Sequence, residues 1–180
     1  MRHSCLPLPA AFALLLVACS ATPQAAPANT GAAKTDTLCA ADDQPLFSCA
    51  LAPDARAVSL CVKDGHPYFA GGPTSLSTTP PSIAAKGITR TTLGFAGNTG
   101  GYAYAFEEHG TKRILYAISG TEGMEEQGLI VIGADASAPA KSHACLPGTF
   151  RNPDDAAVSD VTARWPEDAS IARHGLPRHD

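Results

Sequence analysis

Six cysteines, at positions 5, 19, 39, 49, 61 and 145, are the residues of this 180-residue chain whose spacing says most about chemistry. A cysteine sulfur can hold a metal, attack a substrate or be oxidised to a disulfide. The chain opens Met1-Arg2-His3 and turns apolar from Leu6 to Ala18. That run falls short of the roughly 20 apolar residues a membrane span needs, and its layout is that of a secretory signal. Export leads to an oxidising compartment, where a catalytic thiol would not stay reduced. Cys39, Cys49, Cys61 and Cys145 are separated by 9, 11 and 83 residues. No short C-x-x-C-type pair is among them, which argues against zinc. Four cysteines therefore predict two disulfides, with three connectivities open.

Cys19 ends the apolar run. Leu16-Val17-Ala18-Cys19 resembles the lipobox of bacterial lipoproteins, a Leu, two small residues and a Cys. The resemblance implies that residues 1–18 are a lipoprotein signal peptide cut before Cys19. It also implies that the Cys19 thiol receives a diacylglycerol and the new amino group an acyl chain such as palmitate. Ser20 rather than Asp after the Cys implies sorting to the outer membrane, facing the periplasm. Residues 19–37 then read as the lipidated Cys and a disordered Ala/Pro/Thr tether. Without residues 1–18 the chain carries 12 basic and 17 acidic residues, a net charge of −5. That balance argues against a nucleic-acid partner, which rewards a basic face.

Catalytic signatures are missing: no G-x-S-x-G, S-x-x-K, H-E-x-x-H or Walker-type loop occurs. His66, His109, His143, His174 and His179 are never three or four apart, so no helical metal pair is predicted. His66 and His109 read as solvated turn residues. The carboxylate pairs Asp42-Asp43, Glu107-Glu108 and Glu125-Glu126 are adjacent, whereas hydrolysis of a glycoside needs two facing across a cleft. The expectation is a protein that is not an enzyme, with no cofactor, no metal and no catalytic residue.

The elements that would position these residues read as strands. Leu46–Leu51 and Ala57–Val62 form a hairpin turning at Ala52-Pro53-Asp54-Ala55. A register pairing Leu51 with Ala57 sets Cys49 opposite Ser59 and Cys61 opposite Phe47, with both cysteines on one inward face. That register favours Cys49–Cys145, tying the last strand to the first, with Cys39–Cys61 beside it. Thr89–Phe95 is a strand. Gly101–Ser119 is a hairpin turning at His109-Gly110, and Leu129–Ile132 is a β-branched strand. The fold class expected is all-β, a small antiparallel barrel or sandwich tied by disulfides, with a short helix over Asp154–Ala163. Residues 38–164 are expected to form one β domain and 165–180 a loosely ordered tail. Gly71–Gly87 is a long Pro- and hydroxyl-rich loop, of a kind often functional. Tyr102, Tyr104 and Phe106 alternate with Ala103 and Ala105. Inward, the aromatics fill the core, and this is preferred. Outward, Tyr102 and Tyr104 form a partner-binding stripe. With the aromatics inward, the Ala-lined opposite face would be left unusually bare.

The run TLCAADDQPLFSCALAPDARAVSLC, with Gly101-Tyr102-Ala103-Tyr104 and the late Cys145, resembles a group of small exported bacterial lipoproteins sharing FSC, VSLC and GxYxY strands. A further likeness is to the membrane-bound C-type lysozyme inhibitors, small antiparallel barrels in which an early strand Cys joins a late one. Their S-G-x-x-Y loop enters the lysozyme cleft; here Ser119-Gly120-Thr121-Glu122-Gly123 has the Ser-Gly without the Tyr. The expected function is an envelope lipoprotein acting as a non-enzymatic binding module. Its expected partners are the membrane, through the N-terminal lipid, and a lysozyme-like peptidoglycan hydrolase that it inhibits or confers immunity against. The alternative is an accessory protein binding another periplasmic or outer-membrane protein. Candidate contacts are Ser119, Gly120, Thr121, Glu122, Tyr102 and Tyr104, with Ser119–Glu126 the leading segment and the 71–87 loop the runner-up.

Overall fold

The computed structural model describes residues 37–71, 82–85, 87–95, 97–135, 138–151 and 156–178. Among the described residues, short apolar runs punctuated by turn residues give nine strands in two antiparallel sheets. The first sheet takes β1 (Gln44–Leu51), β2 (Arg56–Lys63), β3 (His66–Gly71) and β4 (Ser82–Ala84) in that order. The second takes β5 (Thr89–Gly94), β6 (Gly100–Glu108), β7 (Thr111–Ser119), β8 (Glu125–Ile132) and β9 (Lys141–Ala144). The tight turns follow from their residues. Asp64-Gly65 and His109-Gly110 both have positive φ at both positions (49° and 77°; 49° and 75°), the geometry whose twist suits two-residue hairpins. His66, expected in a turn, is the first residue of β3.

The inner faces of the two sheets share one cluster. Phe47, Cys49, Leu51, Val58, Leu60, Val62 and Phe69 come from the first sheet, and Tyr104, Phe106, Leu115 and Leu129 from the second. The two sheets do not close into a barrel. One side is joined by the chain itself. Cys145 N–H donates to Gln127 of β8 at 2.8 Å, and Leu146 N–H donates to Ala50 of β1 at 2.7 Å. Ser48 and Arg151 then exchange backbone hydrogen bonds of 3.0 and 2.8 Å. The Cys49–Cys145 disulfide lies at this seam.

The disulfides are the pair the first hairpin favoured, but the register is not. Leu51 lies opposite Arg56 and Cys49 opposite Val58, and a bulge between Pro45 and Phe47 then shifts the pairing so that Cys61 faces Pro45. A one-residue slip moves side chains to the other face. Cys49 accordingly lies in the inner core while Cys61, beside Ser59, is buried on the outer face. There Cys39–Cys61 fastens the segment preceding β1 across the sheet. Under that segment the buried Ser48 and Ser59 hydroxyls are 2.8 Å apart, and Leu38 N–H donates to Ser59 Oγ at 2.9 Å. Gly71 lets the strap lie close: a Cβ there would come 2.7 Å from Leu38 Cδ1 and 2.1 Å from the Ala57 carbonyl oxygen.

The outer face of the second sheet corrects two expectations. Tyr104 and Phe106 do fill the core, but the Ala103/Ala105 face is covered too. Helix α2 (Ala169–His174) sets Ile171, only 3% exposed, into a cluster with Ala103, Ala105, Ile114 and Tyr116. The small side chains make the room that the helix fills. Residues 165–178, expected to be loosely ordered, are thus a built element. Asp168 caps α2, accepting from the Ser170 and Ile171 N–H groups at 3.0 Å each. It also receives a hydrogen bond from Lys112 Nζ of β7, and Gly175 closes the helix at φ 76°. The shorter α1 (Ala156–Thr162) falls inside the predicted 154–163 helix.

Two predictions follow from this framework. Loop-closure entropy assigns about 5 kcal/mol to a link spanning 96 residues and about 3 kcal/mol to one spanning 22. In urea titrations the Cys49→Ser/Cys145→Ser variant should therefore lose more stability than Cys39→Ser/Cys61→Ser. The second concerns Asp168. Partial burial raises its pKa, but Lys112 and the two helix N–H groups outweigh that and leave it lowered. A lowered carboxylate stabilises the fold above its unfolded value of about 3.9, and that stabilisation is lost as pH falls through the folded value. Asp168→Asn keeps the cap and removes the charge. The variant should be less stable than the parent at pH 7, and the difference should shrink toward pH 3 in thermal melts.

Candidate functional site

Two loops meet at one end of the second sheet. The β5–β6 connection turns back with Phe95 N–H donating to the Thr99 carbonyl at 3.3 Å. The β7–β8 connection is a 3₁₀ turn over Thr121–Gly123, closed by Gly120 N–H donating to the Met124 carbonyl at 2.9 Å. Glycines let the two approach. A Cβ on Gly120 would come within 2.7 Å of Thr99 Oγ1 and 3.2 Å of Met124 Cε, and one on Gly101 within 2.1 Å of the Ala117 carbonyl oxygen. The outcome is an apolar tip: among the described residues the exposed large hydrophobics are Phe95 (44%) and Met124 (46%). Ser119, Thr121, Glu125 and Glu126 around them are exposed as well.

Ser119, Gly120 and Thr121 therefore lie together on this tip, and the backbone of Glu122 belongs to its 3₁₀ turn. Tyr102 and Tyr104 do not join them, which corrects the outward stripe. Tyr104 is 1% exposed in the sandwich core, and the half-buried Tyr102 leans on it with ring centroids 5.1 Å apart. Sequence reading missed Phe95 and Met124 as site residues. Lone apolar residues among Gly, Thr, Asn and Glu at strand ends were the available signal. Cys19, tether residues 20–36, and residues 72–81 and 86 of the runner-up loop lie outside the described residues, while Thr37, read as the end of the tether, is hydrogen-bonded to Ser48 Oγ at 3.1 Å.

Behind the tip, the Tyr116 hydroxyl donates to Glu126 Oε1 at 3.1 Å. Burial chiefly, and then the nearby Glu126 charge, push this phenol up to about 12 against the pull of a Ser142 hydrogen bond. Two arginines reach inward from the second sheet and contrast with each other. Arg113 lies 5.9 Å over the Phe69 ring and is balanced by Glu108 at 3.2 Å, an ion pair of poor hydrogen-bond geometry. Arg90 has no carboxylate partner among the described residues. Its guanidinium sits 5.8 Å over Tyr102, and its buried Nε–H has no acceptor among the described residues. An unmet buried donor costs about 1–3 kcal/mol. Burial raises the Tyr104 phenol, and the neighbouring Arg90 charge and hydrogen bond draw it partly back.

Among the described residues no three His, Cys, Asp or Glu are grouped to hold a metal. A hollow of about 50 Å³, lined by Leu51, Ala52, Pro53, Asp54, Arg56 and His143, has room for a water or two. His109 is 93% exposed in its turn. A raised phenol stabilises the fold fully below its unfolded pKa of about 10, and the contribution is lost as pH rises toward 12. Ultraviolet difference titration should show Tyr116 ionising near pH 12, with Tyr116→Phe identifying the transition. Glu126→Gln should move it to lower pH. Comparison of the chain with protein-family models, with curated proteins and with solved structures finds no match.

Proposed function

We propose that this chain is an exported, lipid-anchored, non-enzymatic binding module of the bacterial cell envelope that works through the Phe95/Met124 tip. The observation that carries the reading is the tip itself. Two large apolar side chains stand in solvent on adjoining loops, flanked by Glu125 and Glu126. Exposed apolar groups with a charged rim are the composition of a contact surface. The two disulfides fit the oxidising compartment to which the Cys19 lipobox would deliver it.

The partner it would suit is a basic one, since the tip is acidic and the chain without residues 1–18 carries a net charge of −5. A lysozyme-like peptidoglycan hydrolase meets that requirement in the same compartment. The Ser119-Gly120 of the lysozyme-inhibitor resemblance falls on this tip, with Met124 and Phe95 supplying the apolar contact that the missing Tyr would have made. The oxidised soluble chain, with Cys19→Ser to omit the lipid, should slow cell-wall lysis by basic lysozymes at stoichiometric amounts. Inhibition should weaken with salt, and Phe95→Ser/Met124→Ser should reduce it about tenfold or more without lowering the melting temperature. Undiminished lysis at excess protein rejects the hydrolase. Capture of a different envelope protein from detergent extracts, abolished by the same double variant, would instead support the accessory role.

A further inference from the structure

The geometry points to a second binding site, at Arg90, for an oxyanion: a carboxylate or phosphate group carried on a flat apolar body. Arg90 lies on β5 directly opposite Tyr104 on β6. Its main chain is pinned from the other side, where its N–H donates to the Pro166 carbonyl at 2.9 Å. Its guanidinium spreads over the Tyr102 ring. Trp165 stands edge-on to Tyr104 with ring centroids 5.9 Å apart, so Trp165, Tyr104 and Tyr102 form a row of rings with Arg90 over the Tyr102 end. Arg90, Tyr102 and Trp165 are each half-buried, which puts this group at the boundary with solvent.

A charge held there without a counter-charge is what sets the place apart. Arg113, the other inward guanidinium, has Glu108 beside it. Arg90 has no such carboxylate among the described residues, and its buried Nε–H has no acceptor. A guanidinium is a planar fork of donors shaped for the paired oxygens of carboxylate or phosphate. Packing against the Tyr102 ring satisfies part of its charge, and its hydrogen bond with the Tyr104 phenol occupies one of its N–H groups, but neither brings a counter-charge. An oxyanion would supply the missing charge and accept from the outer N–H groups of the half-buried guanidinium, and the half-buried Tyr102 and Trp165 rings would receive whatever flat body carries it. The site is independent of the tip. Phe95 is five residues further along the same strand direction, roughly 17 Å away at the usual rise.

The chain contains one tryptophan, Trp165, so its fluorescence reports on this corner alone. The purified oxidised protein, in a zwitterionic buffer, is titrated with acetate, benzoate, inorganic phosphate and phenyl phosphate, with chloride holding ionic strength constant. The expected result is a saturable change in emission for at least one oxyanion, with a dissociation constant in the millimolar range or tighter. The ring-bearing member of that pair should bind several-fold better than the bare ion. The carboxylate and phosphate arms tell the two chemistries apart. Arg90→Gln should weaken binding at least tenfold, and Arg90→Lys, which keeps the charge but not the fork, by less. Because a variant here can fail to fold, the wild-type Arg90 Nε–H resonance is followed by ¹⁵N-edited NMR in the same titrations and should shift with saturation. Absence of any saturable response in both readouts overturns the site, as does a folded Arg90→Gln protein that binds within twofold of the parent.

Discussion

The arrangement rests on the few residues around Cys145, where one strand serves two sheets. Antiparallel meanders of four and five strands each leave an edge of unpaired backbone groups. The chain resolves one edge of each at a stroke. It leaves β8 at Cys145, passes to β1 at Leu146 and runs on to Arg151 with its backbone groups paired to Ala50 and Ser48. The inner faces are then held in contact by hydrogen bonds along one side and by Cys49–Cys145 across it. The apolar cluster between the sheets depends on that closure, because neither sheet could bury its inner face alone.

Much of this was legible in the chain and some was not, for identifiable reasons. Period-two alternation and turn residues located β1, β2, β5, β6, β7 and β8. They missed β3, whose His66-Pro67 start and Gly71 end disguise a short strand, and β4, whose three residues Ser82–Ala84 pair with β3 inside the stretch read as a loop. The cysteine pairing came out right through a register that was wrong. The bulge at Leu46 changes which face each residue takes, and nothing local in QPLFSC announces it. The outer Ser48–Ser59 pair and the strap over it show why Cys61 points away from the core. The segment WPEDASIARHGL carries a full set of helix signals, an Asp cap, basic residues in the last turn and a closing Gly. Its single buried Ile171 was too little apolar periodicity to read. What settles it is tertiary: alternate alanines on β6 leave a shallow face that one isoleucine can fill.

The candidate site was half legible. Ser119 to Thr121 were located by their place after a strand, but the apolar residues of the tip came from two strand ends 29 positions apart in sequence. Tyr102 and Tyr104 were read as one face or the other, a choice that assumes a strand with one wet side. β6 is central, with neighbours on both edges and packing on both faces, so its alternation separates two cores rather than core from solvent. Arg90 draws its character from the same fact. It projects beside those tyrosines, and its charge stands out only once the strand register and the ion pairs are known.

Edge occupancy also bears on how the molecule can engage anything. β1 is covered by residues 146–151, β5 is engaged by Pro166 at Arg90, and β4 and β9 are only 3 and 4 residues long. Strand addition, the recognition mode that needs a long free edge, is poorly served by this framework. Loops remain, and those at the Phe95/Met124 end are stiffened by what lies beneath them. Gly120 seats one loop against Thr99 of the other, backbone hydrogen bonds close both turns, and β6 and β7 pair residue by residue up to Gly100 and Ser119. Apolar groups carried on a stiff support lose little conformational entropy on contact, so more of their buried area is realised as affinity. Rigidity beneath an exposed Phe and Met is the physical difference between a docking tip and a merely unburied pair of side chains.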